Sequence, residues 1–346
     1  MRILLTGGTG FVGSHAAEAL LRAGHELRFL VRDPGKLARL GQTRGIEVAD
    51  AVVGDMTDAA AVKAALAGCD AVLHAAASVE IGVAREVFAT NLAGIRNVLG
   101  LALERGLDPV VYVSTIASMF PPPGPVITVH DPIQSLATGY GRSKAEGERF
   151  VRELQARGAP IASVYPSGVY GPDDPGPGQS MKGLRDRIRI GWIRTTGGTA
   201  CVDVRDLAKI LAASFEPGRG PRRTMAGGHF ATWMEEADCV EALIGRRVRR
   251  IPAPPSVVRG IGRAVDLLKR IVPSLDYPLT YEASLFLTQL VPCDSRATVA
   301  ELGAGFRPMR ETLRDSIRWM LATGMLPRRY APALAGRNES PEASQV

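Results

Sequence analysis

A short apolar run ending at Thr6 leads into Gly7-Gly8-Thr9-Gly10-Phe11-Val12-Gly13 and then into a helix-forming stretch. Residues without a Cβ at this spacing let the backbone turn sharply, approach a phosphate and pack a helix on a strand. Gly7, Gly10 and Gly13, with Thr9, Phe11 and Val12 beside them, therefore point to a dinucleotide pyrophosphate on a helix N-terminus. The second strand ends in Val31-Arg32-Asp33-Pro34-Gly35-Lys36. A carboxylate there accepts from ribose hydroxyls, whereas a guanidinium pairs with a 2′-phosphate. Arg32 and Lys36, with Arg39 close behind, weight the reading toward NADP, and Asp33 leaves NAD open. Asp55, in Gly54-Asp55-Met56 at the end of the third strand, stands where an adenine amino group needs an acceptor, with Met56 next to it.

The elements that must carry these residues are legible from periodicity. Up to about residue 165 the chain alternates short apolar runs with helical stretches, the pattern of a doubly wound parallel α/β sheet. Strands are expected at Ile3–Leu5, Glu26–Val31, Ala51–Val53, Ala71–His74, Val110–Val113 and Ile161–Tyr165. Helices are expected at Gly13–Ala23, Ala59–Ala67, Val87–Arg105 and Tyr140–Gly158. Residues 1–165 thus read as a Rossmann-type dinucleotide-binding domain. Residues 166–195 and 236–330 read as a smaller, mostly helical substrate lobe, with the sheet rejoined within 196–235, near Ala200–Val204. The small polar residues 331–346 read as a disordered tail. The Pro/Gly-rich loop after Gly171 and the run Arg185 to Arg194 read as a lid or pocket wall.

Composition narrows the classes. The 346 residues are 46% hydrophobic, enough for a large core. Cys69, Cys201, Cys239 and Cys293 are far apart with no C-x-x-C pair, and no two histidines lie at metal-ligand spacing, so neither a disulfide framework nor a metal site is expected. The first strand starts at once and no apolar run reaches transmembrane length, which suits a cytoplasmic enzyme. The net charge is +7, but aromatics are only 5% and the arginines are scattered, so a nucleic-acid partner is not expected. Small anionic ligands account for the charge as well.

Seven pieces, in order, carry a resemblance: the Thr6–Gly13 segment; Gly54-Asp55-Met56; His74-Ala75-Ala76-Ala77; Asn91 through Asn97; Val113-Ser114-Thr115; Tyr140-Gly-Arg-Ser-Lys144; and Pro166 through Pro172. Together they resemble the extended short-chain dehydrogenase/reductase superfamily, or NAD-dependent epimerase/dehydratase family. Leu302 through Pro308 is similar to the family's C-terminal signature. The Val31–Pro34 strand end looks most like the dihydroflavonol-reductase and 3β-hydroxysteroid-dehydrogenase branch.

The resemblance implies a catalytic pair, Tyr140 and Lys144. Residues four apart lie on one helix face, and a nearby ammonium lowers a phenol's pKa toward working pH. It also implies a third member, Thr115, bonding the substrate oxygen, with Ser114 next in line, and gives Lys144 a hold on the nicotinamide ribose. Ala75, Ala76 and Ala77 would pack the cofactor, Pro166 and Val169 would back the nicotinamide, and Asn91 would orient a helix or touch the ligand. His74 is assigned no chemistry.

The expected activity is hydride transfer between a nicotinamide cofactor and an apolar ketone, aldehyde or secondary alcohol. A nucleotide-sugar epimerase, drawing on Arg185, Arg187, Arg189 and Arg194 for a diphosphate, is the main competitor. A non-catalytic dinucleotide sensor is a third reading, weakened because Tyr140 and Lys144 are both kept. Dehydration is disfavoured, since Ile116 and Ala117 follow the threonine. The segment from Pro255 to Val272 has an apolar face, Val257, Val258, Ile261, Val265 and Leu268, with cations around it. It could lie on a membrane, cover a pocket or join two subunits of a homodimer.

Overall fold

The computed structural model describes residues 1–46, 48–77, 84–134, 139–176, 178–272, 279–303 and 305–335, with residues 84–87, 139, 140 and 270 described by their backbone alone. In the first part of the chain, strands β1 (Arg2–Thr6), β2 (Glu26–Val31), β3 (Ala51–Val53), β4 (Ala71–His74), β5 (Val110–Val113) and β6 (Ile161–Pro166) alternate with helices. These are α1 (Phe11–Arg22), α2 (Pro34–Arg44), α3 (Ala59–Leu66), α4 (Ala84–Glu104) and α5 (Gly139–Ala156). The strands expected from sequence match to within a residue at either end. Helix α2 was not singled out, although its signals are ordinary ones. Asp33 caps it, Pro34 opens it, and Gly45 closes it at φ +63°.

The remaining elements are β7 (Gly168–Tyr170), α6 (Gln179–Ile190), β8 (Trp192–Arg194), β9 (Gly198–Asp203), α7 (Val204–Ala213), β10 (Arg222–Ala226), β11 (His229–Thr232), α8 (Trp233–Ile244) and β12 (Arg250–Pro252). They are followed by α9 (Pro255–Ile271), α10 (Tyr281–Gln289), α11 (Arg296–Leu302), α12 (Met309–Ala322) and α13 (Pro332–Ala335).

Seven parallel strands form the main sheet in the order β10-β6-β5-β4-β1-β2-β3. Both faces are covered, as an all-parallel sheet requires. Ile3 and Leu5 point into one apolar layer with residues of α1, α2 and α7, while Leu4 points into the other with residues of α3, α4 and α5. The strand order reverses between β1 and β4, which opens a crevice at their carboxyl ends, the usual seat of a ligand in such sheets.

The sheet is rejoined by Arg222–Ala226, not near Ala200–Val204 as the apolar run there suggested. Gly198–Asp203 instead joins a separate three-stranded sheet, β11-β9-β7. Its residues are all buried, so no in–out alternation reveals which sheet it enters. Residues 331–335, read as the start of a tail, are packed. Ala331 is fully buried beside Leu326, and α13 lies against α8. The rest of the expected tail, 336–346, lies outside the described residues.

The last segments share an apolar cluster built by α6, α8 and α12 around Trp192 and Trp233. Within it Glu236, with no exposure, accepts from Arg187 Nη2 at 2.8 Å and from Trp192 Nε1 at 2.7 Å. Burial disfavours the Arg187 guanidinium's charge, but Glu236 and Tyr170 more than offset this and hold its pKa above the ordinary arginine value. Asp203 ties this cluster to the main sheet. It caps α7 through Arg205 N and accepts from Thr312 Oγ1 of α12 at 2.8 Å.

Removing one member of a buried ion pair leaves the other charged and unpaired. Glu236→Ala should therefore lower stability by about 3–5 kcal/mol, read as a lower urea midpoint at unchanged slope. The double variant Arg187→Met with Glu236→Leu should recover most of that loss, and equal midpoints for the two would contradict the role assigned to the pair.

Candidate active site

The turn between β1 and α1 is shaped by close backbone approaches. Gly7 has φ +76°, and a Cβ on it would lie 2.6 Å from the Ala75 carbonyl carbon and the Ala76 nitrogen at the end of β4. A Cβ on Gly13 would lie 2.1 Å from the Gly7 carbonyl oxygen, while Gly10 N donates to that oxygen at 2.9 Å. No side chain caps α1 at Gly10, and its first turn carries no acid. The positive end of the helix is thus left for an anion, in a cradle that side chains would fill, and the residues fit a dinucleotide pyrophosphate. Val12, Ala75 and Val169, each partly buried, pack on the same core cluster with Val113 at the edge of the crevice. Thr9 and Phe11 sit on the turn and first helical residue, Ala76 and Ala77 follow β4, and Pro166 ends β6 beside Ala226.

At the end of β2, Arg32 is 81% exposed and its Nε stands 3.9 Å from Asp55 Oδ2. Asp33 is the N-cap of α2, accepting from Lys36 N at 3.0 Å. One oxygen of Asp33 is therefore committed to the helix, which weakens its reading as a ribose acceptor. Asp55 Oδ1 accepts from both the amide and the hydroxyl of Thr57. Asn97, not singled out from sequence, donates to the carbonyls of Met56 and Thr57 at 3.1 and 2.9 Å and pins this loop to α4. Met56 covers Gly94, where a Cβ would meet its sulfur at 2.5 Å.

The centre of the site is organised by a residue the sequence reading did not name. Glu148 lies on α5, one turn beyond Lys144, and has no exposure to water. Its carboxylate accepts from Ser114 Oγ at 2.7 Å, Arg152 Nε at 3.0 Å and the Tyr165 hydroxyl. It thus binds the ends of β5 and β6 to α5. Ser114, read as a cofactor or substrate contact, spends its hydroxyl proton on Glu148. The one sequence signal was spacing, since Tyr140, Lys144 and Glu148 follow one another at intervals of four.

Lys144 is 6% exposed. Burial lowers its pKa to about 8, against the pull of Glu148, which raises it. Asn91, offered as a cofactor contact, donates to Ser143 Oγ at 3.3 Å in the buried α4–α5 interface, so it orients the helix that carries Lys144. The backbone of Tyr140 lies in α5 one turn before Lys144, and its side chain is outside the described residues. Thr115 N-caps the short 3₁₀ turn Ile116–Met119, its hydroxyl accepting from Ala117 N at 3.2 Å, so its own proton remains to be donated. That turn packs on α5. His74, behind these groups, is fully buried, shares a hydrogen bond with Thr6 Oγ1 and is pushed down to about 3 by burial and by Lys144, which keeps it neutral.

The turn after Thr115 leads into an apolar cluster. Ile116, Met119, Ile127, Tyr165 and Met225 form a buried cluster, and Phe286 of α10 stacks on Phe120 with ring centroids 4.0 Å apart. Two of the four arginines from Arg185 to Arg194 are paired elsewhere. Arg187 is locked to Glu236 in the lower core, and Arg185 pairs with Asp186 at 2.8 Å.

Known proteins share this chain's sequence pattern and fold. Residues 3–223 match the model of the NAD dependent epimerase/dehydratase family. The chain belongs to this family. It is an NAD-dependent, extended-type short-chain dehydrogenase/reductase. It is 28% identical to sterol demethylase protein B of Methylococcus capsulatus over 94% of this chain and all of that one. It is 27% identical to 4-hydroxy-2-methyl-3-oxo-4-farnesyl-3,4-dihydroquinoline-1-oxide ketoreductase of Stigmatella aurantiaca, over 92% and 96% of the two chains. The solved structure of gox2253 superposes with a TM-score of 0.78 at 26% identity, covering 94% of this chain and 99% of that one.

The lowered pKa of Lys144 has a sign that can be checked. Between about 8 in the native chain and the ordinary 10.5 the unfolded state holds more protons, so the penalty on the buried ammonium is present below 8 and fades as pH rises across this window. In protein carbon-13 labelled at lysine, the Lys144 Cε shift should titrate near 8, and in Glu148→Gln lower still. An unchanged midpoint in the variant would remove Glu148 from control of Lys144.

Proposed function

We propose that this enzyme is a reductase that prefers NADPH and acts on a carbonyl group of an apolar, sterol- or isoprenoid-like molecule, its reverse reaction being an alcohol dehydrogenation. The observation that carries the proposal is the burial of Lys144 on α5, one turn from Tyr140, on a helix that packs against the turn capped by Thr115. Gly7, Thr9, Gly10, Phe11, Val12 and Gly13 would hold the pyrophosphate, and Asp55 and Met56 the adenine. Ala75, Ala76, Ala77, Pro166 and Val169 would line the nicotinamide side of the crevice. Bound there, the cofactor supplies hydride to the carbonyl carbon.

The chain's own residues manage the proton. Thr115 donates a hydrogen bond to the carbonyl oxygen, which gathers negative charge as hydride arrives. Tyr140 then gives its phenolic proton to that oxygen, and Lys144 makes the phenol a stronger acid by stabilising phenolate. Glu148 acts through Lys144 and Ser114 as a positioning residue.

Cofactor preference rests on Arg32 and Lys36. Arg32 is exposed and Asp33 is drawn into the α2 cap, which favours a 2′-phosphate over ribose hydroxyls as the ligand. Substrate class rests on the apolar wall from Ile116 to Phe286, and on the names of the relatives described as a sterol demethylase protein and a farnesyl-quinoline ketoreductase. Two of the four arginines a nucleotide diphosphate would draw on, Arg187 and Arg185, are paired with Glu236 and Asp186.

Tyr140→Phe should lower kcat by about 10²–10⁴-fold while leaving the NADPH dissociation constant unchanged, and full activity in that variant would refute the mechanism. Arg32→Ala should weaken NADPH by roughly 10- to 100-fold relative to NADH, the worth of one charge-assisted hydrogen bond. Equilibrium binding of NADPH, NADP, NADH and NAD is the measurement, and NAD retained through purification would instead favour an epimerase.

A further inference from the structure

Among the described residues nine large aliphatic side chains are exposed, and six of them, Val257, Ile261, Leu267, Leu268, Ile271 and Val272, fall on α9 and the residue after it. Exposures run from 43% at Ile261 and Val272 to 73% at Ile271. Scattered exposed aliphatics are ordinary; a cluster on one helix is not.

The helix has three faces. One is fixed to the protein: Val258 is buried, Asp266 accepts from Tyr281 N at 3.1 Å, and Gly262 lies so close to α10 that a Cβ would meet the Thr280 carbonyl oxygen at 2.8 Å. Val258 and Val265, counted from sequence in the apolar face, therefore belong to the fold, and the outward stripe is a different set. Val257, Ile261, Ala264, Leu268 and Ile271 recur at intervals of four, three, four and three, so they run along one side of the helix. The third face is cationic. Arg259 and Arg263 follow one another by four, and Arg263 lies over Tyr281 at 4.8 Å from its ring centroid and donates to its hydroxyl at 3.2 Å. Ser256, Arg259, Gly260, Arg263 and Tyr281 line one shallow polar hollow beside the stripe.

We propose that α9 lies flat on a bilayer surface containing anionic phospholipid, its stripe in the boundary between headgroups and acyl chains and Arg259 and Arg263 at the phosphates. An apolar stripe bordered by arginines and a tyrosine matches that boundary, where aliphatic groups enter the hydrocarbon and long cations reach back to the headgroups. A second copy of the chain matches it less well. Self-pairing would bring arginine rows to a common rim, and the helix's one acid, Asp266, is already engaged by Tyr281 N. Because α9 packs on α10, whose Phe286 forms part of the wall near Thr115, a docked helix would stand one helix away from the site proposed for an apolar substrate. Docking follows from the helix itself; only its purpose rests on the apolar-substrate reading.

The test is co-sedimentation of the full chain with vesicles of phosphatidylcholine, with and without about one-third phosphatidylglycerol, alongside velocity sedimentation without lipid. The expected result is binding to the anionic vesicles at least about tenfold stronger than to the neutral ones. The double variant Ile261→Glu and Leu268→Glu should lose at least about tenfold of that binding while keeping its NADPH affinity and circular-dichroism spectrum. Arg259→Glu with Arg263→Glu should abolish the preference for anionic vesicles. Failure of the wild-type chain to sediment with either vesicle would overturn the proposal. So would binding indifferent to the glutamates, or a lipid-free dimer that they dissociate, which would give the stripe to a second copy. Turnover of a small water-soluble ketone, measured on the same variants without vesicles, keeps the two readings apart. Its absence in the wild type would count against the reductase and leave the vesicle result standing.

Discussion

A carboxylate kept wholly from water is tolerated only where donors surround it, and Glu148 meets that condition with three of them drawn from separate elements. Ser114 brings the end of β5, Tyr165 brings β6, and Arg152 stays on α5 one turn away. The bonds to Ser114 and Tyr165 restrict how α5 can rotate or slide against the sheet, while Arg152 completes the anion's shell from within the helix. Since Lys144 and Tyr140 ride on the same helix, their placement over the strand ends follows from how this one anion is satisfied. Its charge also sets the electrostatics of Lys144, offsetting part of the burial that would otherwise discharge it.

The sheet adds a second constraint of a different kind, steric rather than electrostatic. At the point where strand order reverses, the β1–α1 turn and the end of β4 approach until no Cβ fits between Gly7 and Ala75. Close approach leaves the helix end uncapped and open, so the same contact that packs the fold also exposes the dipole that would receive a phosphate.

Much of this could be read from residue types. The central strands β1, β4 and β5 are short, mainly apolar runs punctuated by turns, as buried parallel strands tend to be. The glycine turn was legible because its requirement, absence of side chains, is itself a sequence feature. What escaped was pairing. Nothing in the run Gly198–Asp203 distinguishes one sheet from another, and Arg187 looks in sequence like any other cation of a basic helix until Glu236 arrives from α8. Glu148 escaped for a related reason: Ser114 and Tyr165, the partners that tie it to the sheet, are far away in sequence, and an acid on an amphipathic helix usually faces solvent. Asn91 and Asn97 sat in a recognised stretch, but only the packing of α4 on α5 and on the Met56 loop separates their tasks.

The stacking of Phe286 on Phe120 joins segments of independent origin in the chain, one following β5 and the other belonging to a helix near the C-terminus. The groups proposed for proton transfer come from the first segment and its neighbours, whereas half of the aromatic wall comes from the second. On the proposed reading, selectivity and chemistry are separable traits: drift in α10 would reshape the wall while the hub around Glu148 stays intact. A lineage built on this plan can change what it accepts by small steps after residue 279, without passing through forms that have lost the reaction.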